Sequence, residues 1–120
     1  MDDRAVSQPQ LIPGTLDLMV LSMLDRAPCH AYELARRLSA VMGGHIAIEE
    51  GSLIPALKRL EKRGSITRQR GTGPSGKPVL VCSVTAAGRR ELIAQTNLWL
   101  AARRAVDAVL ALPTTTTSVE

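Results

Sequence analysis

Two strand-like runs around a glycine-rich loop restrict what the rest of this chain can become. Ser65–Arg70 alternates, with Ile66 as its inward anchor, and Val79–Val84 is apolar and β-branched. Between them Gly71–Pro78 (GTGPSGKP) is rich in turn formers and carries one cation, Lys77. The three pieces predict a single β-hairpin. Helical periodicity on both sides of it makes the chain mainly α.

Pro13-Gly14 precedes the first helix, which Thr15 is expected to cap and Asp17 to support at the positive end of the helix dipole. Leu16, Met19, Val20, Met23 and Leu24 recur at helical spacing, and Leu18 and Leu21 widen the apolar face. A helix over Thr15–Arg26 that is apolar on most sides must be buried by a partner as well as by its own domain. After Pro28 a second helix is expected over His30–Met42, with Leu34, Leu38 and Val41 inward and Gly43-Gly44 as its stop. His45–Ile48 alternates like a brief strand. Ser52 is expected to cap a third helix, with Pro55 tolerated in its first turn and Gly64 ending it. Leu53, Ala56, Leu57 and Leu60 would face inward, leaving Ser52, Ile54, Pro55, Lys58, Arg59 and Lys62 outside. Thr85 then caps a long fourth helix reaching about Leu110.

The order helix, helix, helix, strand, strand, helix is that of a winged helix-turn-helix, with the hairpin as wing and a C-terminal dimerisation helix. The expected division is a flexible arm over 1–10, a DNA-binding domain over 11–84, the dimerisation helix over 85–112 and a disordered tail over 113–120. Apolar residues make up 45% of the 120-residue chain but aromatics only 2%, so the core must be aliphatic. A small aliphatic core is only modestly stable alone, which favours oligomerisation. The apolar positions of the fourth helix recur with charges between them after the hairpin, where a compact domain has no core left to offer. The expected interface of a homodimer is Leu16 and Met19 with Leu92, Ile93, Thr96, Trp99, Leu100, Val106 and Leu110.

Charge locates the partner. Residues 51–90 carry nine Lys/Arg and one acid, net +8, whereas the remainder carries six basic and ten acidic groups, net −4. A basic segment in an acidic frame is the footprint of a polyanion-binding face, although a solvated basic surface would show the same charge; with the winged-helix order the expected polyanion is double-stranded DNA. The third helix would enter the major groove with Ser52 gripping phosphate at its N-terminus, Lys58, Arg59 and Lys62 reaching backbone or bases, and Ile54 and Pro55 giving apolar contact. Lys77 would meet the backbone flanking the site.

Catalysis lacks raw material. Two histidines and two separate cysteines form no metal-ligand spacing, so no metal or cofactor is expected. GTGPSGK is followed by proline rather than by Ser/Thr and a helix, and is not a phosphate-binding loop. The acidic N-terminus differs from a signal peptide, and no run is long enough to span a membrane, so a cytoplasmic protein is expected.

The segments LIPGTLDLMVLSML, APCHAYELARRL, IEEGSLIPALKRLEKRG and VTAAGRREL, in this order, resemble the PadR family over residues 11–110. The resemblance implies a dimeric winged-helix repressor that binds an operator through the third helix and the wing. It assigns Tyr32 to the DNA backbone and Ser52, Pro55 and Lys58 to the recognition helix. Trp99 falls near a tryptophan of drug-binding members, implying a lipophilic or aromatic effector stacked there. The family usually has an aromatic residue at Ile54 and tyrosines where Leu80, Val81 and Cys82 stand. The expected function is therefore transcriptional repression by a homodimer on a palindromic operator. The alternative is a winged-helix protein-interaction module or ligand sensor without direct DNA binding.

Overall fold

The structure, a computed structural model, describes residues 14–43 and 48–114. Helix α1 spans Thr15–Arg26, as its periodicity predicts, and buries Val20, Leu21 and Leu24. Its cap differs from expectation: Gly14, in the left-handed region at φ 89°, occupies the N-cap position, and Thr15 is the first helical residue. Leu16, Leu18, Met19 and Met23 stay only half-buried.

Beyond Pro28 the chain forms a two-residue strand, β1 (Cys29–His30), before α2 (Ala31–Val41). Two residues are too few to show alternation, so the sequence placed His30 in the helix instead. His30 is the N-cap, its Nδ1 accepting from the Glu33 N–H at 3.3 Å. Residues 44–47 lie outside the description, and with them most of the strand expected at His45–Ile48. Ile48 itself is buried and irregular. The Ser39 hydroxyl both donates to the Ile48 carbonyl and accepts from its N–H, each at 3.3 Å, and so fixes the end of the connection that follows α2.

Helix α3 (Glu50–Lys62) begins two residues before the expected Ser52 cap, with Glu49 as N-cap. The shift moves Pro55 out of the first turn and into the helix, where its missing N–H leaves the Gly51 carbonyl without an i+4 donor. The helix ends in a Schellman motif: Ser65 N–H bonds Leu60 O, Gly64 N–H bonds Glu61 O, and Gly64 sits at φ 80°. Leu53, Ala56, Leu57 and Leu60 are buried as their spacing predicts.

Strands β2 (Ile66–Thr72) and β3 (Pro78–Val84) pair antiparallel from Ile66↔Val84 to Thr72↔Pro78. The ladder thus consumes Gly71, Thr72 and Pro78 from the expected loop. Strand β1 adds to the other edge of β3 through Cys29↔Cys82, giving the order β1-β3-β2. In the remaining loop Gly76 N–H bonds Gly73 O, Gly73 N–H bonds Lys77 O, and Gly76 adopts φ 79°. This is the short hairpin turn that ends on a left-handed glycine.

The core joins Val20, Leu21 and Leu24 to Leu34 and Leu38, to Leu53, Leu57 and Leu60, and to Ile66 and Cys82. Burying each large aliphatic side chain contributes roughly 1.5–3 kcal/mol, and their convergence fixes the inner face of α3. Helix α4 (Ala86–Leu110) leaves this body after Thr85, whose Oγ1 accepts from Gly88 N–H at 3.0 Å. Its first turns pack on α1 and β3, but residues 101–110 are all exposed, and the molecule is 68 Å long. Among the described residues no helix is long and apolar enough to cross a membrane.

Gly88 is the one fully buried residue of α4, and a Cβ there would lie 2.0 Å from the Ser65 carbonyl oxygen. In an exposed helix Gly→Ala gains up to about 1 kcal/mol; here the sign should reverse. Gly88→Ala is expected to lower the urea unfolding midpoint, with a net loss of about 1–3 kcal/mol from overpacking. A midpoint at or above the wild-type value would show that the backbone can withdraw.

Candidate nucleic-acid interface

At 100° per residue the surface of α3 divides into three strips. The strip opposite the buried face holds Gly51, Pro55, Lys58 and Lys62, all exposed. On the side of the hairpin lie Ile54 and Glu61. On the side of α1 lie Ser52, Arg59 and Arg63.

The strips differ in electrostatics as well as direction. Arg59 bonds Asp17 of α1 at 2.8 Å, and Arg63 reaches the same carboxylate at 3.4 Å. Arg63 also bonds Glu91 of α4, and this hydrogen bond, ahead of the Coulomb attraction, raises its already high pKa. On the other side Glu61 accepts from Arg68 of β2, from Nε at 3.0 Å and Nη2 at 2.9 Å. Among the described residues Lys58, Lys62, Arg70 and Lys77 form no ion pair. Around α3 and the hairpin, the cations left to an external anion are therefore those of the central strip, the hairpin tip and one wing strand; among the described residues Arg26 on α1 and Arg90 and Arg104 on α4 are unpaired away from them.

The start of α3 carries different chemistry from that expected. Ser52 is exposed, but its N–H already donates to Glu49 O at 3.0 Å. Glu49 and Glu50 suit the positive end of the helix dipole and oppose a second anion there. Ile54 is half-buried in a cleft of about 300 Å³ between α2, α3 and β3, which Tyr32, His30 and Leu80 also line. Tyr32 stands on its rim, 58% exposed and stacked on His30 with centroids 6.5 Å apart. Lys77 is exposed at the hairpin tip.

Of the residues assigned to pairing of two copies, Leu16 and Met19 on α1 are half-buried, as are Leu92, Thr96, Trp99 and Leu100 on α4. Ile93, Val106 and Leu110 are exposed, as are Leu98 and Val109. Sequence reasoning missed Asp17 and Arg63. Asp17 in a first helical turn reads as a dipole partner; that it clamps two arginines 42 and 46 residues away follows only from the packing of α1 on α3.

The family model for transcriptional regulators of the PadR-like family matches residues 20–94. The chain belongs to this family. A PadR family regulator from Eggerthella lenta is 34% identical, covering 83% of this chain and 85% of its own, with a TM-score of 0.71. A transcriptional regulator from Thermoplasma acidophilum is 27% identical over 84% of this chain and 95% of its own, with a TM-score of 0.72. A PadR-like regulator from Bacillus cereus, 23% identical over 88% of this chain and 100% of its own, shares the fold at a TM-score of 0.75. No curated protein matches the chain. PadR-like proteins are transcriptional regulators, not enzymes, and the winged-helix plan read from the sequence is the observed one.

In this PadR-like chain the cysteines behind the interface are buried directly opposite one another on β1 and β3. Desolvation pushes the Cys82 thiol up from the ordinary 9.0 to about 11, and Arg68 only partly opposes it. Burial also raises Cys29. Neutral thiols of this kind are poor nucleophiles. A raised folded-state pKa means that the unfolded chain deprotonates first, so the stabilisation is complete below pH 9 and is lost as pH climbs toward 11. The unfolding midpoint should fall through that window, and Cys82→Ala should flatten the fall. An equally steep fall in the variant would assign the slope to other groups.

Proposed function

We propose that this PadR-like regulator represses transcription as a homodimer, binding a palindromic DNA operator with α3 in the major groove and the β2–β3 wing against the flanking backbone. The observation that carries the reading is the division of charge on α3. Its flanks are neutralised internally, while Lys58 and Lys62 stand unpaired on the central strip with Lys77 at the wing tip. An anion is thereby directed to one strip of one helix. Pro55 on the same strip offers apolar contact, for example to a thymine methyl.

Random-sequence duplex is the first probe, because phosphate contacts dominate affinity and need no known operator. Replacing both Lys58 and Lys62 with alanine should weaken binding about tenfold or more and lower the slope of log affinity against log salt by about two, near 0.9 per lost contact. Wild-type binding that ignores salt, or an unaltered double variant, would refute the interface.

A second copy is invoked because, among the described residues, nothing covers the distal half of α4. Val106, Val109 and Leu110 are exposed there, and Ile93 and Leu98 in the half before it. Paired helices would bury these side chains and place two recognition helices on one face of the duplex, about one helical turn apart or a multiple of it. Val106→Asp with Leu110→Asp is expected to give a monomer in sedimentation while the near-UV and far-UV spectra of the folded domain persist. A dimer that survives both charges would place the contact elsewhere.

A further inference from the structure

We propose that Asp17 is an internal stand-in for a DNA phosphate, holding the Arg59 guanidinium at the edge of the recognition helix until the backbone replaces it. The inference rests on the DNA-binding reading above and adds a mechanism that sets affinity.

The arrangement has an asymmetry that an ordinary surface ion pair lacks. Asp17 is largely withdrawn from water, its side chain 17% exposed, and it serves two arginines at once. Arg63 is anchored twice, to Asp17 and to Glu91, whose other oxygen accepts from the Ser65 hydroxyl. Arg59 bonds Asp17 from the more open position, with 54% of its side chain exposed. It lies beside the central strip of α3, one residue from Lys58. When Arg59 departs, the carboxylate keeps Arg63, so no buried charge is left alone, and that loss is what usually makes breaking a partly buried pair costly. Arg59 gives Asp17 a single N–H bond, which a phosphate oxygen can accept equally well, so the exchange needs only rotation of a long side chain. Lys58 and Lys62 have no comparable clamp. The unbound protein thus hides one of its cations, and binding must displace an intramolecular competitor before using it.

The test measures affinity and salt slope on a random-sequence duplex for five forms of the full chain: wild type, Asp17→Asn, Arg59→Ala, their double variant and Asp25→Asn. Asp25 is an acid on the same helix paired with Arg89 rather than with α3, so it controls for bulk charge. Release of Arg59 predicts a gain of roughly twofold to fivefold for Asp17→Asn, the range of an exposed ion pair. The gain should vanish in the double variant. Arg59→Ala should lower the salt slope by about one, as expected when one phosphate contact is lost. Thermal unfolding accompanies each form. Should Asp17→Asn fail to fold, the Arg59→Ala slope still decides, since removal of an exposed side chain leaves the core intact. An unchanged slope in Arg59→Ala, an equal gain in Asp25→Asn, or a gain that persists without Arg59 would each overturn the exchange. Absence of salt-dependent binding by the wild type would instead remove the DNA reading itself.

Discussion

The carbonyl group of Ser65 is the point on which the arrangement of α3, the wing and α4 depends. It accepts from the Thr85 N–H at 3.0 Å and lies 3.1 Å from the Thr85 hydroxyl, which also reaches Gly64 O. Gly88 lets α4 come close enough that no side chain fits between. The residue that ends the α3 Schellman motif therefore also closes the base of the hairpin and seats the first turn of α4. Each of these connections satisfies polar groups that would be expensive to leave buried and unpaired. A hairpin held only by its own ladder would be free to swing; here both of its ends are tied at Gly64 and Ser65, two and three residues past the end of α3.

Much of this was legible in the residue pattern. The bounds of α1, the buried stripe of α3 and the capping of α4 by Thr85 followed from periodicity and cap chemistry, because each is decided locally. Some departures have local causes and others come only from pairing across the fold. Glutamates 49 and 50 prolong α3 toward its N-terminus although they give no apolar signal, and His30 caps α2 with a ring nitrogen in place of the usual oxygen. Gly71 and Thr72 continue β2 because the ladder with β3 supplies what their propensity lacks. Strand β1 exists only because β3 is there to pair with it.

The candidate site was legible in part, for a different reason. Counting charges between residues 51 and 90 located the basic region, yet a count cannot say which cations are already engaged. Arg59 and Lys58 are neighbours of like charge, and only the fold separates the one clamped by α1 from the one facing outward. Ile54 and Leu80, positions where the family resemblance implies aromatic residues, both line the cleft between α3 and the wing. These two side chains bring no hydroxyl, so the polar groups of the cleft are those of Tyr32, His30, Glu50 and Arg68.

The seating of α4 at Gly88 also makes that helix a lever. Twenty-five residues at 1.5 Å each span about 37 Å, and the only tightly packed end is the one beside the Ser65 carbonyl. A tilt of about 5° at this fulcrum would carry the far tip through roughly 3 Å over such a length. In a pair of copies joined along α4, the same small rotation would change the separation of the two recognition helices. In the proposed dimer the reach along DNA would thus depend on how closely a glycine allows one helix to approach one peptide group.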